Sequence, residues 1–216
     1  MRFGLALSGG GIRGVAHIGV LRALEEEGMM PSWIAGTSAG SIVAGLYAYG
    51  YSPRELEEIA IDLQPKYIDP NFLGMALGLG QWVLGKEPCV DGVIKGKAIE
   101  RYLKKLTEGI KIADIKMPLA ITAVDINKAD SVIFLNRRVG ILPDDDTVYM
   151  HDMLLYKAIR ASIAIPVVFK PIILEGRRLV DGGVTNNLPI GILRQMGAER
   201  IIGVDLGYNG QLRRDV

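Results

Sequence analysis

At 216 residues, with 25 lysines and arginines against 24 acidic residues, the chain has a formal net charge of +1 and no electrostatic case for a nucleic-acid partner. Its single cysteine, Cys89, excludes an internal disulfide and a cysteine-based zinc site and points to a reducing, cytoplasmic setting. Two histidines leave no basis for a multi-histidine metal centre. Hydrophobic residues make up 49%, which suits one domain on a sheet buried on both faces, and no apolar run approaches the ~18 residues of a membrane span.

Phe3–Leu7 is a short buried strand, too brief for an apolar targeting region and broken at once by Ser8-Gly9-Gly10-Gly11. A helix follows with Val15, Ile18, Leu21 and Leu24 on one stripe, ended by Gly28. Trp33–Ala35 is the second strand, leading into a helix that carries Ile42, Val43, Leu46 and Tyr47. Ser52-Pro53-Arg54-Glu55 is a capping box with proline at the first helical position, so the spacing predicts a helix through Leu63. The irregular stretch 66–90 contains the glycine-rich apolar run Phe72–Leu84, either a segment that covers an acyl pocket or makes peripheral contact with a bilayer, or a buried core helix. Gly96–Leu106 is helical. Pro118–Ile126 and Ser131–Leu135 form a hairpin around Asn127-Lys128-Ala129-Asp130. Met150–Ser162 is expected to be a helix, Val167–Leu174 and Arg178–Val180 a second hairpin, Pro189–Met196 a short helix and Ile201–Asp205 a last buried strand. This alternation is that of an α/β fold with a mostly parallel sheet.

Two loops carry the chemistry. Gly36-Thr37-Ser38-Ala39-Gly40 is a G-x-S-x-G pentapeptide between strand and helix, the setting of a nucleophile elbow, with Gly36 and Gly40 keeping the turn clear of side chains. Gly9-Gly10-Gly11-Ile12-Arg13-Gly14 fits the dinucleotide fingerprint, yet the second strand ends in Gly36-Thr37-Ser38 rather than in the acid that would hold a ribose. Backbone N–H groups at a helix start also bind a developing oxyanion, and beside an elbow serine that use fits better. The serine needs a base. His151, the one histidine after Ser38, precedes Asp152 at a surface-facing helix start, and His17 sits one turn past the glycine loop as a packed or solvated helix residue. Three aspartates end strand-like runs. Asp125 begins a turn and Asp205 ends a buried strand, whereas Asp181 precedes Gly182-Gly183, which let its loop approach another closely. Ser162 lacks an elbow and is assigned to packing, and Asn186 and Asn187 to the Asp181 loop or the helix cap at Pro189.

Taken in order, the glycine loop, the Ser38 pentapeptide, Ala161-Ser162-Ile163-Ala164-Ile165-Pro166 and Asp181-Gly182-Gly183 resemble the four signatures of the patatin-like phospholipases, over residues 3–206. The resemblance implies one three-layer α/β/α hydrolase domain spanning 1–216, with no cofactor or metal and a Ser38–Asp181 dyad that dispenses with histidine. It also implies an oxyanion held by the N–H groups of Gly10, Gly11 and Ile12, with Arg13 adding positive potential. A cation at a helix start opposes the dipole, so Arg13 is expected to have a carboxylate or anionic partner. The expected substrates are acyl esters of lipids, foremost phospholipids or lysophospholipids, with short esters, thioesters or low-turnover lipid binding as alternatives. The chain stops soon after Asp205, where many relatives continue with further helices, so either a compact member or a removed tail is expected.

Overall fold

Strand formation starts where the chain is apolar on both faces. In the computed structural model, which describes residues 2–62, 69–71, 92–137 and 145–207, all four residues of β1 (Gly4–Leu7) are buried. Phe72–Leu84 and Cys89 lie outside the described residues. β1 pairs in parallel with β2 (Trp33–Thr37) and with β8 (Ile201–Val204), and β2 with β3 (Leu119–Asp125), whose seven residues are all buried. β4 (Asp130–Leu135) returns antiparallel to β3 through the expected turn. β5 (Thr147–Met150) then runs parallel to β4, giving the order β5-β4-β3-β2-β1-β8. The remaining hairpin, β6 (Ile172–Leu174) and β7 (Arg177–Asp181), joins the sheet through β7, which is antiparallel to β3.

The faces of this sheet differ in side-chain size. Ala6, Ala35 and Ala120 stand in register across three strands, and on this shallow face packs α6 (Ile190–Gln195) through Ile192 and Leu193. The opposite face presents Leu5, Leu7, Ile34, Leu119 and Ile121 to a larger core. Buried side chains of α1 (Ala16–Glu26), α2 (Ala39–Tyr49), α3 (Pro53–Asp62), α4 (Lys97–Leu106) and α5 (Leu155–Ser162) complete that core. The alternation of strand residues across a pleat thus produces three layers from one sheet. Among the described residues no helix is long and apolar enough to cross a membrane.

Local signals explain most element ends. Ser52 N–H and Oγ both reach Glu55 Oε2, at 2.8 and 2.7 Å, and Glu55 N–H returns to Ser52 Oγ, closing the capping box that starts α3. The Asp69 carboxylate accepts from the N–H groups of Gly96, Lys97 and Ala98 and so caps α4 from a distance in sequence. Two expectations are corrected. Met150 closes strand β5 rather than opening a helix, and α5 begins only at Leu155, because 147–150 pair in parallel with β4 and extend the sheet. β8 is only partly buried, since among the described residues it forms the sheet's outer edge and has a neighbouring strand on one side alone.

Candidate active site

The decisive element is β3, because two strands share one of its edges end to end. β2 occupies the first half, with Thr37 opposite Thr122, and β7 arrives from the other direction, with Asp181 opposite Ala123. The C-terminal ends of β2 and β7 therefore face each other, and whatever follows Thr37 must meet Asp181. Ser38 follows Thr37. Thr37 Oγ1 lies 2.7 Å from Thr122 Oγ1 and donates to Asn186 O at 3.1 Å, which ties the two strand ends beneath the junction. Gly182 presses against Thr122, whose carbonyl oxygen would lie 2.7 Å from an added Cβ, so the chain leaving Asp181 comes as close to β3 as backbone allows.

Ser38 has φ +52° and ψ −124°, a strained conformation for a residue with a side chain, and its N–H donates to Ser162 Oγ at 2.9 Å. An added Cβ at Gly40 would lie 2.6 Å from Ser8 O, and one at Gly36 would strike the Gly40 carbonyl oxygen, so the elbow folds flat onto the end of β1. Ser38 and Asp181 are both buried, at 6% and 5% exposure. Ser38 and Asp181 line the same cleft, and Asp181 Oδ1 accepts from Gly183 N–H at 2.7 Å. Burial pushes the Asp181 carboxyl above its ordinary value, and the hydrogen bonds from Ser38 and Gly183 pull it partly back.

The glycine loop rims the same hollow, an open cleft of about 280 Å³ lined by Gly9, Gly10, Gly11, Ser38, Pro166 and Asp181 among others. Its N–H groups are not equivalent. Gly9 N–H is taken by Asn187, through the backbone oxygen at 3.2 Å and Oδ1 at 3.1 Å, and Arg13 N–H by Gly10 O at 3.1 Å. Those of Gly10, Gly11 and Ile12, at the open start of the 3-10 helix Gly11–Val15, take no partner among the described residues. Gly14 is buried against Ala39, where an added Cβ would lie 2.5 Å from the alanine Cβ. The Arg13 side chain is exposed and pairs with no carboxylate among the described residues, which leaves the anionic partner as the remaining expectation.

The other candidates separate cleanly. His151 follows β5, three strands from β2, and its Nδ1 lies 2.9 Å from Leu135 O. Asp125 is buried under Arg177, 3.1 Å from its guanidinium, and Asp205 caps Gly207 N–H. His17 is fully buried, its Nε2 2.8 Å from Ser8 O, and burial lowers its pKa, so it is the neutral donor that fixes the carbonyl just before the glycine loop. Sequence reasoning missed Ser162 as a partner of Ser38 and Asn187 as the clamp on Gly9. The spacing of 124 residues between Ser38 and Ser162 carries no local signal that they meet.

A model of the family described as patatin-like phospholipase matches residues 5–194. The chain belongs to the patatin-like phospholipase family. Lysophospholipase NTE1 of Mycosarcoma maydis is 31% identical over 207 residues, covering 96% of this chain and 10% of that protein. The uncharacterized protein YqhO of Bacillus subtilis (strain 168) is 33% identical over 210 residues, 92% of this chain and 69% of its own length. Patatin-like phospholipase domain-containing protein 6 of Homo sapiens is 30% identical over 206 residues, 94% of this chain and 13% of its own length. The chain thus spans only a small part of two of these three relatives. Among solved structures, VipD from Legionella pneumophila superimposes with a TM-score of 0.54 at 16% identity, over 87% of this chain and 47% of VipD. ExoU of Pseudomonas aeruginosa, solved in complex with SpcU, gives 0.50 at 20% identity over 77% of this chain and 39% of that one. At such identities these neighbours speak only for the α/β fold with its mostly parallel sheet.

Proposed function

We propose that this patatin-like chain is a serine hydrolase that cleaves acyl esters of lipids, with Ser38 as nucleophile and Asp181 as its general base. The observation that carries the reading is the meeting of Ser38, at a strained elbow, with the buried Asp181 carboxylate in one cleft that the glycine loop rims. The names of the relatives, a lysophospholipase and a patatin-like phospholipase, support lipid as the substrate class.

In this mechanism Asp181 takes the Ser38 proton as Ser38 Oγ bonds to the ester carbonyl carbon, and the N–H groups of Gly10, Gly11 and Ile12 hold the oxyanion that forms. Collapse breaks the carbon–oxygen bond to the alcohol, which leaves with the proton from Asp181. Water then gives a proton to Asp181 while its oxygen attacks the acyl-enzyme. The second collapse frees the fatty acid and returns the proton to Ser38 Oγ. Losing one oxyanion donor raises the barrier by ~2.7–4 kcal/mol.

A fluorophosphonate probe and a p-nitrophenyl ester series on wild type, Ser38→Ala and Asp181→Asn test this. Wild type is expected to label and turn over, Ser38→Ala to lose both, and Asp181→Asn to lose turnover by ~10³-fold or more. A wild-type protein that binds lipid but neither labels nor turns over would replace the hydrolase with a lipid-binding protein on the same fold.

A further inference from the structure

Beyond the end of α5, one valine stands in a conformation that its side chain resists. Val167 has φ +69°, in the left-handed region, where a β-branched residue is an outlier and glycine would be at ease. Packing does not offset the strain, since the side chain is 73% exposed. What fixes the backbone is a short parallel ladder to residues 93–95. Val93 N–H donates to Val167 O at 3.1 Å, Ile94 N–H to Val168 O at 2.8 Å, and Lys170 N–H to Ile94 O at 2.8 Å. Arg160 supports the ladder from within, donating to the carbonyls of Lys95, Gly96 and Lys170 with its guanidinium 5.5 Å from the Phe169 ring centre. Exposure alternates along both runs. Val93 and Lys95 face out with Ile94 between them, and Val168 and Lys170 face out with Phe169 between them. The outer face therefore carries three valines at the end next to Pro166, on the rim of the Ser38 cleft, and two lysines one pleat further on.

We infer that this face is a docking surface for a membrane containing anionic phospholipid, with the valines dipping among the acyl chains and the lysines meeting the head groups. The occupant follows from the order of the side chains. A soluble polyanion would use the lysines and leave three valines in water. A lipid surface uses both, because its apolar interior lies just beyond its charged layer. The positive charge continues on α4, where Lys97, Arg101, Lys104 and Lys105 stand exposed against the single acid Glu100. Asp69, whose backbone oxygen accepts the Lys95 N–H, has its carboxylate committed to the N–H groups that start α4. With a net charge of +1 over the chain, this excess is balanced elsewhere, in part by Glu25, Glu26, Glu57 and Glu58 on α1 and α3. Around the cleft, Val184 and Ile12 are exposed as well, so its mouth is apolar on more than one side. Docked in this way, the cleft opens onto lipid rather than into water. The docking itself does not depend on the hydrolase reading; its use, delivering a lipid ester to Ser38, rests on it.

The test is flotation with vesicles of phosphatidylcholine alone and of equal parts phosphatidylcholine and phosphatidylglycerol. It compares wild type with Val167→Asn/Val168→Asn, Lys95→Gln/Lys170→Gln and Val167→Trp. Wild type is expected to float with the mixed vesicles and to be released from them by salt. Each lysine removed is expected to weaken partitioning about fivefold. Asparagine enters the left-handed region readily, so the valine pair sheds apolar surface and strain together. It is expected to keep at least the wild-type urea midpoint while partitioning falls at least ~5-fold. Val167→Trp, suited to a membrane interface, is expected to strengthen binding, a gain that misfolding does not imitate. Wild type that floats with neither vesicle, or equally with both, overturns the surface, as do variants that all partition like wild type. Binding lost with the lysines but kept by the valine pair makes the patch a polyanion site and overturns it too. Binding lost in the valine pair and strengthened by tryptophan upholds the surface, and it does so even where wild type hydrolyses no ester and the hydrolase reading fails alone.

Discussion

At the scale of single residues, the site depends on two side chains that perform no chemistry. Ser38 holds φ +52°, a conformation that costs of order 1–3 kcal/mol for a residue with a Cβ, so something must over-determine it. Ser162 contributes to that constraint by accepting the Ser38 N–H at 2.9 Å from the C-terminal end of α5. The position of α5 is itself fixed by Arg160, whose buried guanidinium donates to the carbonyls of Lys95, Gly96 and Lys170. Removing the Ser162 hydroxyl leaves a buried donor unmatched, at about 1–3 kcal/mol. Ser162→Ala is accordingly expected to lower the urea midpoint of unfolding and to reduce kcat roughly tenfold while KM changes little, because the serine, not the substrate pocket, is displaced. Unchanged kcat in a destabilised variant would show that the elbow holds its shape without this bond. On the other side, His17 anchors Ser8 O, and that carbonyl would lie 2.6 Å from a Cβ added at Gly40. The glycine loop and the elbow are therefore referenced to the same carbonyl.

At the scale of elements, β3 is the template: β2 and β7 meet head to head along one edge, which brings Ser38 and Asp181, the proposed dyad, to the gap between them. Gly182→Ala tests that arrangement. Its Cβ would collide with Thr122 Oγ1 and lie 2.7 Å from Thr122 O, so the Asp181 loop must move away from β3. Ester kcat/KM is expected to fall by at least ~10²-fold with the fold retained, since misplacing a catalytic group by about 1 Å has that effect. Near-wild-type turnover would mean the approach to β3 is not what aims Asp181. The same topology explains what the sequence disclosed. Both strand ends were legible, because apolar runs stop at Gly36-Thr37-Ser38 and at Asp181-Gly182-Gly183, and glycines there announce close approach. That these ends face each other was not legible from local pattern, because pairing on β3 is set by residues more than fifty positions away from both. β5 was missed for a related reason. Four residues at a sheet edge, Thr147–Met150, lack the length to distinguish a strand from a helix start, and only β4 decides the matter. Ser162 read as packing because its one hydrogen bond runs to another element altogether.

At the scale of the whole molecule, the charge state that supports catalysis and the one that supports folding lie on opposite sides of one titration. Burial raises the Asp181 carboxyl above its ordinary value of 3.8, outweighing the hydrogen bonds from Ser38 and Gly183 that lower it. A carboxyl raised in the folded state binds its proton more tightly there than in the unfolded chain. Its contribution to stability is therefore fully present below the unfolded pKa and is lost as pH rises through the folded one. In the proposed mechanism Asp181 must, by contrast, be ionised to accept the Ser38 proton, so turnover is expected to appear as that stabilisation disappears. Two measurements follow from the same shift. The acid limb of kcat/KM against pH is expected above the usual carboxylate range. Asp181→Asn, which keeps the shape but never carries the charge, is expected to unfold at a urea concentration at least as high as wild type at pH 7, with the difference shrinking as pH is lowered through the acid limb. A variant clearly less stable than wild type at pH 7 would reverse the ranking, making the bonds to Ser38 and Gly183 the larger effect. The acid limb would then fall at or below the ordinary value, so each measurement checks the other.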